Sequence, residues 1–170
     1  PISPLGAGFS KIREKEPVLV DIVHVHRGYV SDCTRMFCSG NLGIEWRDRL
    51  DDMVEIGEIV RGALAKGDTC SSAWDAGREA SEEMGHDENL MGIRPEQARF
   101  LGHSVGLELD ESPVVANGFD QPLGEGGTMA IEPKVIHRDG AIGIEDTWVR
   151  TAEGMECLTS GVSLPKLIQW

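Results

Sequence analysis

The sequence is short of positive charge and of long hydrophobic runs. Its 170 residues include 16 lysines and arginines against 29 aspartates and glutamates, for a formal net charge of −13. Nucleic-acid binding selects for clustered basic side chains, so this balance predicts no nucleic-acid partner. Solubility accounts for most of the acidity. No segment approaches the roughly 18 consecutive apolar residues of a membrane helix, so we expect no membrane partner.

Cysteine is also sparse, and the sequence has no Cys-x-x-Cys pair among Cys33, Cys38, Cys70 and Cys157. This pattern is typical of small buried residues in a reduced, cytoplasmic protein. The start of the chain lacks an initiator Met, a basic segment and the apolar stretch of a signal peptide. We therefore expect the C-terminal part of a longer cytoplasmic chain, with residues 1–170 forming one domain.

Hydrophobic patterning predicts an α+β domain. Alternating and β-branched residues indicate two hairpins, at residues 18–38 and about 128–150. Apolar residues spaced by three and four indicate a helix over 43–66. The remaining elements are a helix that follows Asp68-Thr69 and stops at Gly85, a strand within 99–109, a turn-rich loop over 110–127 and a short strand near 156–158.

Each predicted hairpin carries two acids: Asp21 and Asp32 in the first, and Glu132 and Glu145 in the second. Turns at His26-Arg27 and at Arg138-Asp139 would place the two acids of each hairpin directly opposite one another. Cross-strand neighbours lie about 4.5–5.5 Å apart at Cβ, and like charges there are destabilising. Two such pairs indicate that a positive group lies between them, and a dinuclear metal site fits that requirement.

Structural explanations compete with this interpretation for individual residues. Asp21 could end a strand, but apolar residues continue on both sides of it. Glu145 is followed by Asp146, and we expect one of these two to be simply solvated; the hairpin register favours Glu145 as the functional acid. His103, in Gly-His-Ser-Val-Gly, would by itself be a hydrogen-bonded structural histidine, and only the four acids favour a ligand. His24, His26, His86 and His137 are weaker candidates.

Four carboxylates and one imidazole form an oxygen-rich set that suits Mn, Fe, Co or Zn. Five protein ligands, some of them bridging, fit two divalent ions about 3.5–4 Å apart. Such a pair can polarise a carbonyl group and generate hydroxide near neutral pH.

These residues, in this order, resemble the metallopeptidases of the pita-bread fold, which include methionine aminopeptidase, prolidase and Xaa-Pro aminopeptidase. The similarity covers about residues 17–160 and includes all five ligand positions. Segments 29–35 and 108–113 are more similar to the Xaa-Pro branch than to the methionine branch. The resemblance implies two pseudo-twofold halves, a curved antiparallel sheet covered by helices, and a truncated N-terminal part.

The resemblance also implies roles for individual residues. Asp21 and Asp32 would bind metal, with Asp32 bridging; His103 and Glu132 would complete one site, and Glu145 would bridge both ions. The implied chemistry is hydrolysis of a peptide bond near the N-terminus of a small peptide by metal-bound hydroxide. Glu132 would also carry the proton.

Three positions depart from the family pattern. Asp110 stands where the resemblance implies a histidine near the scissile bond, and we treat Asp110 as a second catalytic candidate. It could hold the substrate's α-amino group, stay neutral in the field of the other acids, or simply cap the loop that leads to Pro113, and we favour a role toward the substrate. Residues 3–6 lack an upstream histidine, and Gly143 replaces an arginine common in Xaa-Pro peptidases. The alternatives left open are methionine aminopeptidase activity, a non-catalytic module that binds a peptide or protein, and a homodimer rather than a monomer.

Overall fold

The structure is a computed structural model that describes residue 9, residues 11–159 and residues 165–170. The helices in this part of the chain are α1 (Ile44–Lys66) and α2 (Cys70–Glu83). The strands are β1 (Val18–His26), β2 (Tyr29–Cys38), β3 (Gly102–Ser104), β4 (Glu111–Val114), β5 (Thr128–Ile131), β6 (Lys134–His137), β7 (Gly140–Gly143), β8 (Asp146–Thr151), β9 (Gly154–Cys157) and β10 (Leu167–Gln169). Residues 3–6, which lack the upstream histidine that the resemblance implies, lie outside the described residues.

The strands form three hydrogen-bonded groups in the described part of the chain. Their orders are β1-β2-β10, β4-β3-β5-β8-β9 and β6-β7. Strand β10 pairs with β2 in parallel, whereas the other pairs are antiparallel. A backbone bridge between Thr34 of β2 and Glu145 connects the first group to the second hairpin. The two predicted hairpins therefore meet at their acids.

A two-residue turn closes the first hairpin and sets a register that differs from the predicted one. Arg27 and Gly28 both have positive φ values, 53° and 90°, which a type I′ hairpin turn requires at both central positions. As a result Asp21 lies opposite Thr34, two residues beyond Asp32. The prediction of directly opposite acids is wrong here, because the turn falls one residue later than expected. The two aspartates are diagonal neighbours on one face.

The second hairpin keeps a single register but is divided between two sheets. Counting outward from the Lys134–Gly143 pair of β6 and β7 reaches the Ile131–Asp146 pair of β5 and β8 without a slip. That register carries Glu132 across from Glu145, as predicted. Pro133 interrupts the ladder here because it has no N–H group to donate. The two glutamates therefore lie at the point where the hairpin passes from one sheet to the next.

Both helices agree with the sequence prediction to within about two residues. Helix α1 buries an apolar stripe of residues spaced by three and four, namely Leu50, Met53, Ile56, Val60 and Leu64. It ends at Gly67, whose φ of 89° is the left-handed conformation that glycine adopts most readily. Helix α2 begins at Thr69, whose hydroxyl accepts a 3.1 Å hydrogen bond from the Ser72 N–H.

The small residues of α2 allow it to pack closely against α1 and the chain before β3. A Cβ atom on Gly77 would lie 2.5 Å from Leu101 Cδ1 and 2.8 Å from Val60 Cγ2. Helix α2 thus presses on α1 and on the chain just before β3. This contact fixes Leu101, two residues before His103.

Several details correct or extend the prediction. The strand expected within 99–109 has only three residues, and the loop expected over 110–127 contains β4. The short C-terminal strand is β9, and β10 follows it unpredicted. No disulfide joins the cysteines in the described part of the chain. Neither described helix combines the length and apolar character needed to cross a membrane.

Candidate metal centre

Three buried side chains from different parts of the fold converge at the meeting point of the hairpins. Asp32 comes from β2, His103 from β3, and Glu145 from the break between β7 and β8. One ligand atom from each lies within 4.8 Å of the other two. All three are nearly inaccessible to solvent. Two carboxylates and an imidazole this close match the ligand types and the spacing that a divalent transition metal requires.

Asp32 has the features expected of a metal-binding carboxylate. Its Oδ1 atom is buried and has no hydrogen-bond partner among the described residues. Burial and then the neighbouring Asp21 carboxylate raise the pKa of Asp32 to about 6. A buried polar atom without a partner costs about 1–3 kcal/mol. A bound cation would satisfy that atom, so Asp32 fits a metal ligand.

His103 presents one nitrogen to the acids and the other to the protein backbone. Its Nε2 atom lies 3.2 Å from Glu132 Oε1 and 3.9 Å from Asp32 Oδ2. Its Nδ1 atom lies 3.2 Å from the Ser104 carbonyl oxygen. Burial lowers the pKa of His103, but Glu132 outweighs burial and raises it to about 9. An Nδ1–H donated to the carbonyl leaves Nε2 as the metal-binding atom, the usual arrangement of a histidine ligand.

Glu145 and Glu132 face each other, yet their pKa values shift in opposite directions. Burial raises the pKa of Glu145 to about 7, opposed by Lys134. Burial acts in the same direction on Glu132, but hydrogen bonds from His103 and the charge of Lys134 prevail and lower its pKa. Glu132 therefore favours its ionised form at neutral pH, whereas burial favours the protonated form of Glu145.

A lysine that the sequence analysis did not single out lies among the acids. The Lys134 Nζ atom lies 2.6 Å from Glu132 Oε2, 3.0 Å from Glu145 Oε2 and 3.4 Å from Asp21 Oδ2. Burial lowers the pKa of Lys134, but Glu145, Glu132 and Asp21 reverse that effect and raise it. The only sequence signal was its position two residues after Glu132, which places both side chains on one face of an extended chain.

Asp21 and Asp110 lie at the rim of this centre. The Asp21 side chain is 45% exposed; it contacts Lys134 and also interacts directly with the buried Asp32. Asp110 is 73% exposed, and its Oδ1 lies 3.5 Å from His103 Nδ1. The loop before β4 is closed by Glu111, whose carboxylate accepts a 2.8 Å hydrogen bond from the Glu108 N–H. Asp110 is thus not the residue that caps this loop.

Two other predictions can be compared with the structure. Asp146 was expected to be solvated if Glu145 was functional, but its Oδ1 lies 2.7 Å from Arg35 Nη2 and accepts a 2.6 Å hydrogen bond from Thr159. That expectation is wrong, because Asp146 neutralises a buried arginine. His86 has a structural contact instead: its Nε2 lies 2.7 Å from Asp52 Oδ2.

An apolar cavity opens beside the acids. Its volume is about 370 Å³, and Asp21, Glu132 and Lys134 form one wall. The rest of the lining is mainly apolar: Leu19, Met91, Ala98, Phe100, Ile136 and Ala141. A concave apolar site with a few convergent polar groups is the usual form of a small-molecule or side-chain pocket.

Comparisons with known proteins identify the family of the chain. The family model for metallopeptidase family M24 matches residues 4–152. An Xaa-Pro dipeptidase from Lactobacillus delbrueckii subsp. lactis is 30% identical over 159 residues, which cover 91% of this chain and 40% of the relative. The chain thus spans about 40% of the length of that curated relative.

Solved structures show the same similarity in three dimensions. An Xaa-Pro dipeptidase from Bacillus anthracis superposes with a TM-score of 0.82 at 30% identity, covering 98% of this chain and 45% of the other. The prolidase from Pyrococcus furiosus gives a TM-score of 0.81 at 28% identity, with coverage of 92% and 44%. The predicted α+β pita-bread architecture is therefore confirmed, for a chain much shorter than these neighbours.

Proposed function

We propose that this chain, which belongs to metallopeptidase family M24, is the catalytic domain of a peptidase that hydrolyses a bond near the N-terminus of small peptides, with Xaa-Pro bonds preferred. The observation that carries the proposal is the buried convergence of Asp32, His103 and Glu145 within 4.8 Å. The relatives named Xaa-Pro dipeptidase support the choice of substrate class. The apolar cavity beside the acids supports a small apolar side chain in the substrate.

The residues proposed to hold metal are Asp21, Asp32, His103, Glu132 and Glu145. The unpartnered Oδ1 of Asp32 and the oxygen-rich donor set support Mn, Co, Zn or Fe. When bound, two such ions would polarise the scissile carbonyl and lower the pKa of the attacking water. A pair of ions requires the Lys134 ammonium to leave its place among the carboxylates.

Glu132 is proposed to move the proton during hydrolysis. Its carboxylate is ionised at neutral pH, because His103 and Lys134 lower its pKa against the effect of burial. It can accept a proton from the attacking water as the water oxygen bonds to the carbonyl carbon. It then donates that proton to the departing amine nitrogen as the C–N bond breaks, as a general base and acid does.

Asp110 is proposed to bind the free α-amino group of the substrate. Its carboxylate is exposed beside His103, on the side away from the buried acids. An anion cannot donate a hydrogen bond to a developing oxyanion, so it does not replace the family's histidine chemically. It can form an ion pair with an ammonium group at the mouth of the site.

The test is hydrolysis of a peptide panel by the metal-stripped chain after addition of Mn²⁺, Co²⁺ or Zn²⁺. The panel contains Ala-Pro, Met-Pro, Met-Ala-Ser and an N-acetylated Ala-Pro. We expect metal-dependent cleavage of Xaa-Pro bonds, abolished by a chelator. Preferential cleavage after Met would indicate the methionine aminopeptidase alternative. Tight peptide binding without any cleavage would indicate the non-catalytic module.

Location and assembly are part of the proposal. We propose a cytoplasmic protein that acts on peptides, and a homodimer as its assembly. Size-exclusion chromatography with light scattering decides between dimer and monomer.

A further inference from the structure

The contacts of Lys134 match those of a bound cation. The ammonium group has three N–H donors, and three carboxylates surround it: Glu132 at 2.6 Å, Glu145 at 3.0 Å and Asp21 at 3.4 Å. Lysine is a compact point charge on a flexible stem, which makes it the side chain closest in form to a small metal ion. The side chain is only 12% exposed, so the ammonium has exchanged water for these oxygens.

The lysine and the candidate metal triad occupy different positions that share one ligand. Asp32, His103 and Glu145 form the triad, whereas Asp21, Glu132 and Glu145 surround the ammonium. Glu145 therefore faces both positive positions. The unpartnered Oδ1 belongs to Asp32, on the triad side. The acids thus form two cation positions, of which the chain itself fills one.

The backbone makes room for this lysine. Gly143 pairs with Lys134 across the second hairpin. A Cβ atom on Gly143 would lie 2.5 Å from Lys134 Cγ and 2.7 Å from the Pro133 carbonyl oxygen. Both distances are too short for van der Waals contact, so the neighbouring atoms would have to move. A residue with a side chain at position 143 would therefore push the lysine stem away from the acids.

We propose that Lys134 is a built-in competitor for the second metal position. One divalent ion binds tightly at Asp32, His103 and Glu145, and a second binds only when it displaces the ammonium from Glu132, Glu145 and Asp21. The inference rests on the metal centre of the proposed function and specifies how it is loaded. In the protein with a single bound ion, the Lys134 ammonium group supplies the second positive charge among the carboxylates.

The test is metal binding, measured independently of peptidase activity. Metal-stripped protein is titrated with Mn²⁺ by calorimetry, and bound Mn²⁺ is counted by elemental analysis after dialysis at several free concentrations. We expect the natural sequence to bind one ion tightly and a second at least about tenfold more weakly. In Lys134→Met the second site should strengthen by about 10–100-fold, the range found when groups around a metal ligand change.

Two control variants separate charge from stability. Lys134→Arg keeps the positive charge and should retain tight binding of one ion only, even if folding is perturbed. Lys66→Met removes an exposed lysine at the end of α1 and should bind as the natural sequence does.

The outcomes separate this inference from the proposed function. Two ions of equal affinity in the natural sequence, unchanged in Lys134→Met, would overturn the role of Lys134 and leave the metallopeptidase proposal standing. No Mn²⁺ binding in any variant would overturn both.

Discussion

Thr34 and Glu145 are joined by three hydrogen bonds that connect the two hairpins at the candidate centre. The Thr34 N–H donates to the Glu145 carbonyl oxygen at 3.2 Å, and the Glu145 N–H donates to the Thr34 carbonyl oxygen at 3.3 Å. The Thr34 hydroxyl donates to Glu145 Oε2 at 2.6 Å. Backbone and side chain together therefore fix the direction of a buried carboxylate that faces both cation positions.

Removal of the Thr34 hydroxyl should weaken metal binding. Thr34→Val keeps the shape of the side chain but removes the donor that orients Glu145. We expect Mn²⁺ affinity to fall by about 10–100-fold, as for other groups that orient a ligand. Thr34→Ser should restore affinity, since it returns the hydroxyl. Thr151→Val, which removes a hydroxyl that bonds to Gly154, is the matched control. Equal affinity in Thr34→Val would show that the hydroxyl does not position the ligand.

Substitution of Glu132 should separate chemistry from metal binding. Glu132→Gln keeps the size of the side chain and one oxygen but cannot transfer a proton. We expect kcat on Ala-Pro to fall by about 10²–10⁴, with a smaller change in metal content. Glu156→Gln, at an exposed position of β9, should leave kcat unchanged. A fully active Glu132→Gln protein would contradict the proposed proton transfer.

Asp110→Ala should affect substrates according to their N-terminus. Loss of an exposed ion pair worth about 0.4–1 kcal/mol would raise KM about two- to fivefold for peptides with a free α-amino group. N-acetylated peptides, which lack the ammonium group, should be unaffected. Asp120→Ala, at an exposed loop position, serves as the control. The same KM change for both peptide classes would rule out recognition of the α-amino group. Asp110→His should raise activity on Xaa-Pro peptides if the aspartate marks a lost catalytic histidine.

The metal-free protein should lose stability as the pH rises from 6.5 to 9. Against the opposing effect of burial, Glu132 raises the pKa of His103 from 6.5 to about 9. Over this window the folded protein holds a proton that the unfolded chain has released, so the free energy of unfolding falls as pH increases. The stabilisation that His103 contributes is fully present below pH 6.5. Thermal unfolding in the presence of a chelator measures it, and His103→Gln should flatten the curve.

Metal should act with the opposite pH dependence. Burial and the neighbouring Asp21 charge raise the pKa of Asp32 to about 6. Burial also raises the pKa of Glu145 to about 7. Protons compete with metal for both carboxylates and for His103, so the rise in thermal midpoint caused by Mn²⁺ should grow between pH 6 and 8. At a hundredfold excess over Kd the added stability is about 2.7 kcal/mol. A shift that shrinks with pH would contradict these ligands.

The sequence was sufficient for both helices, for the two hairpins and for the composition of the candidate site, but not for β4, β10 or the arrangement of the site. Helix α1 could be predicted because its apolar residues repeat with the helical period. The turn of the first hairpin was predicted one residue too early, because its position depends on the positive φ of Arg27 as well as that of Gly28. Asp21 and Asp32 consequently became diagonal neighbours rather than partners.

Lys134 and Thr34 could not be assigned from the sequence, because their roles depend on contacts between distant segments. Thr34 meets Glu145 only when the two hairpins pack together. Lys134 follows Glu132 on the same strand face, a spacing that is common on solvent-exposed strands. Asp146 was misjudged for the same reason, since its partner Arg35 lies 111 residues away in the chain.

Because the register of the second hairpin is unbroken, the positions of its two glutamates along the paired strands are constrained relative to each other. Glu132 and Glu145 lie across from each other only while the number of residues between them matches the pairing on both strands. Insertion of one residue into either strand would turn one carboxylate to the opposite face. Lengthening both strands by two residues would carry the hairpin tip outward and leave the acids facing each other. In comparisons with more distant sequences, a single residue gained or lost within the paired part of one strand should therefore mark a chain that has lost the centre, whereas the turn at the tip is free to change in length.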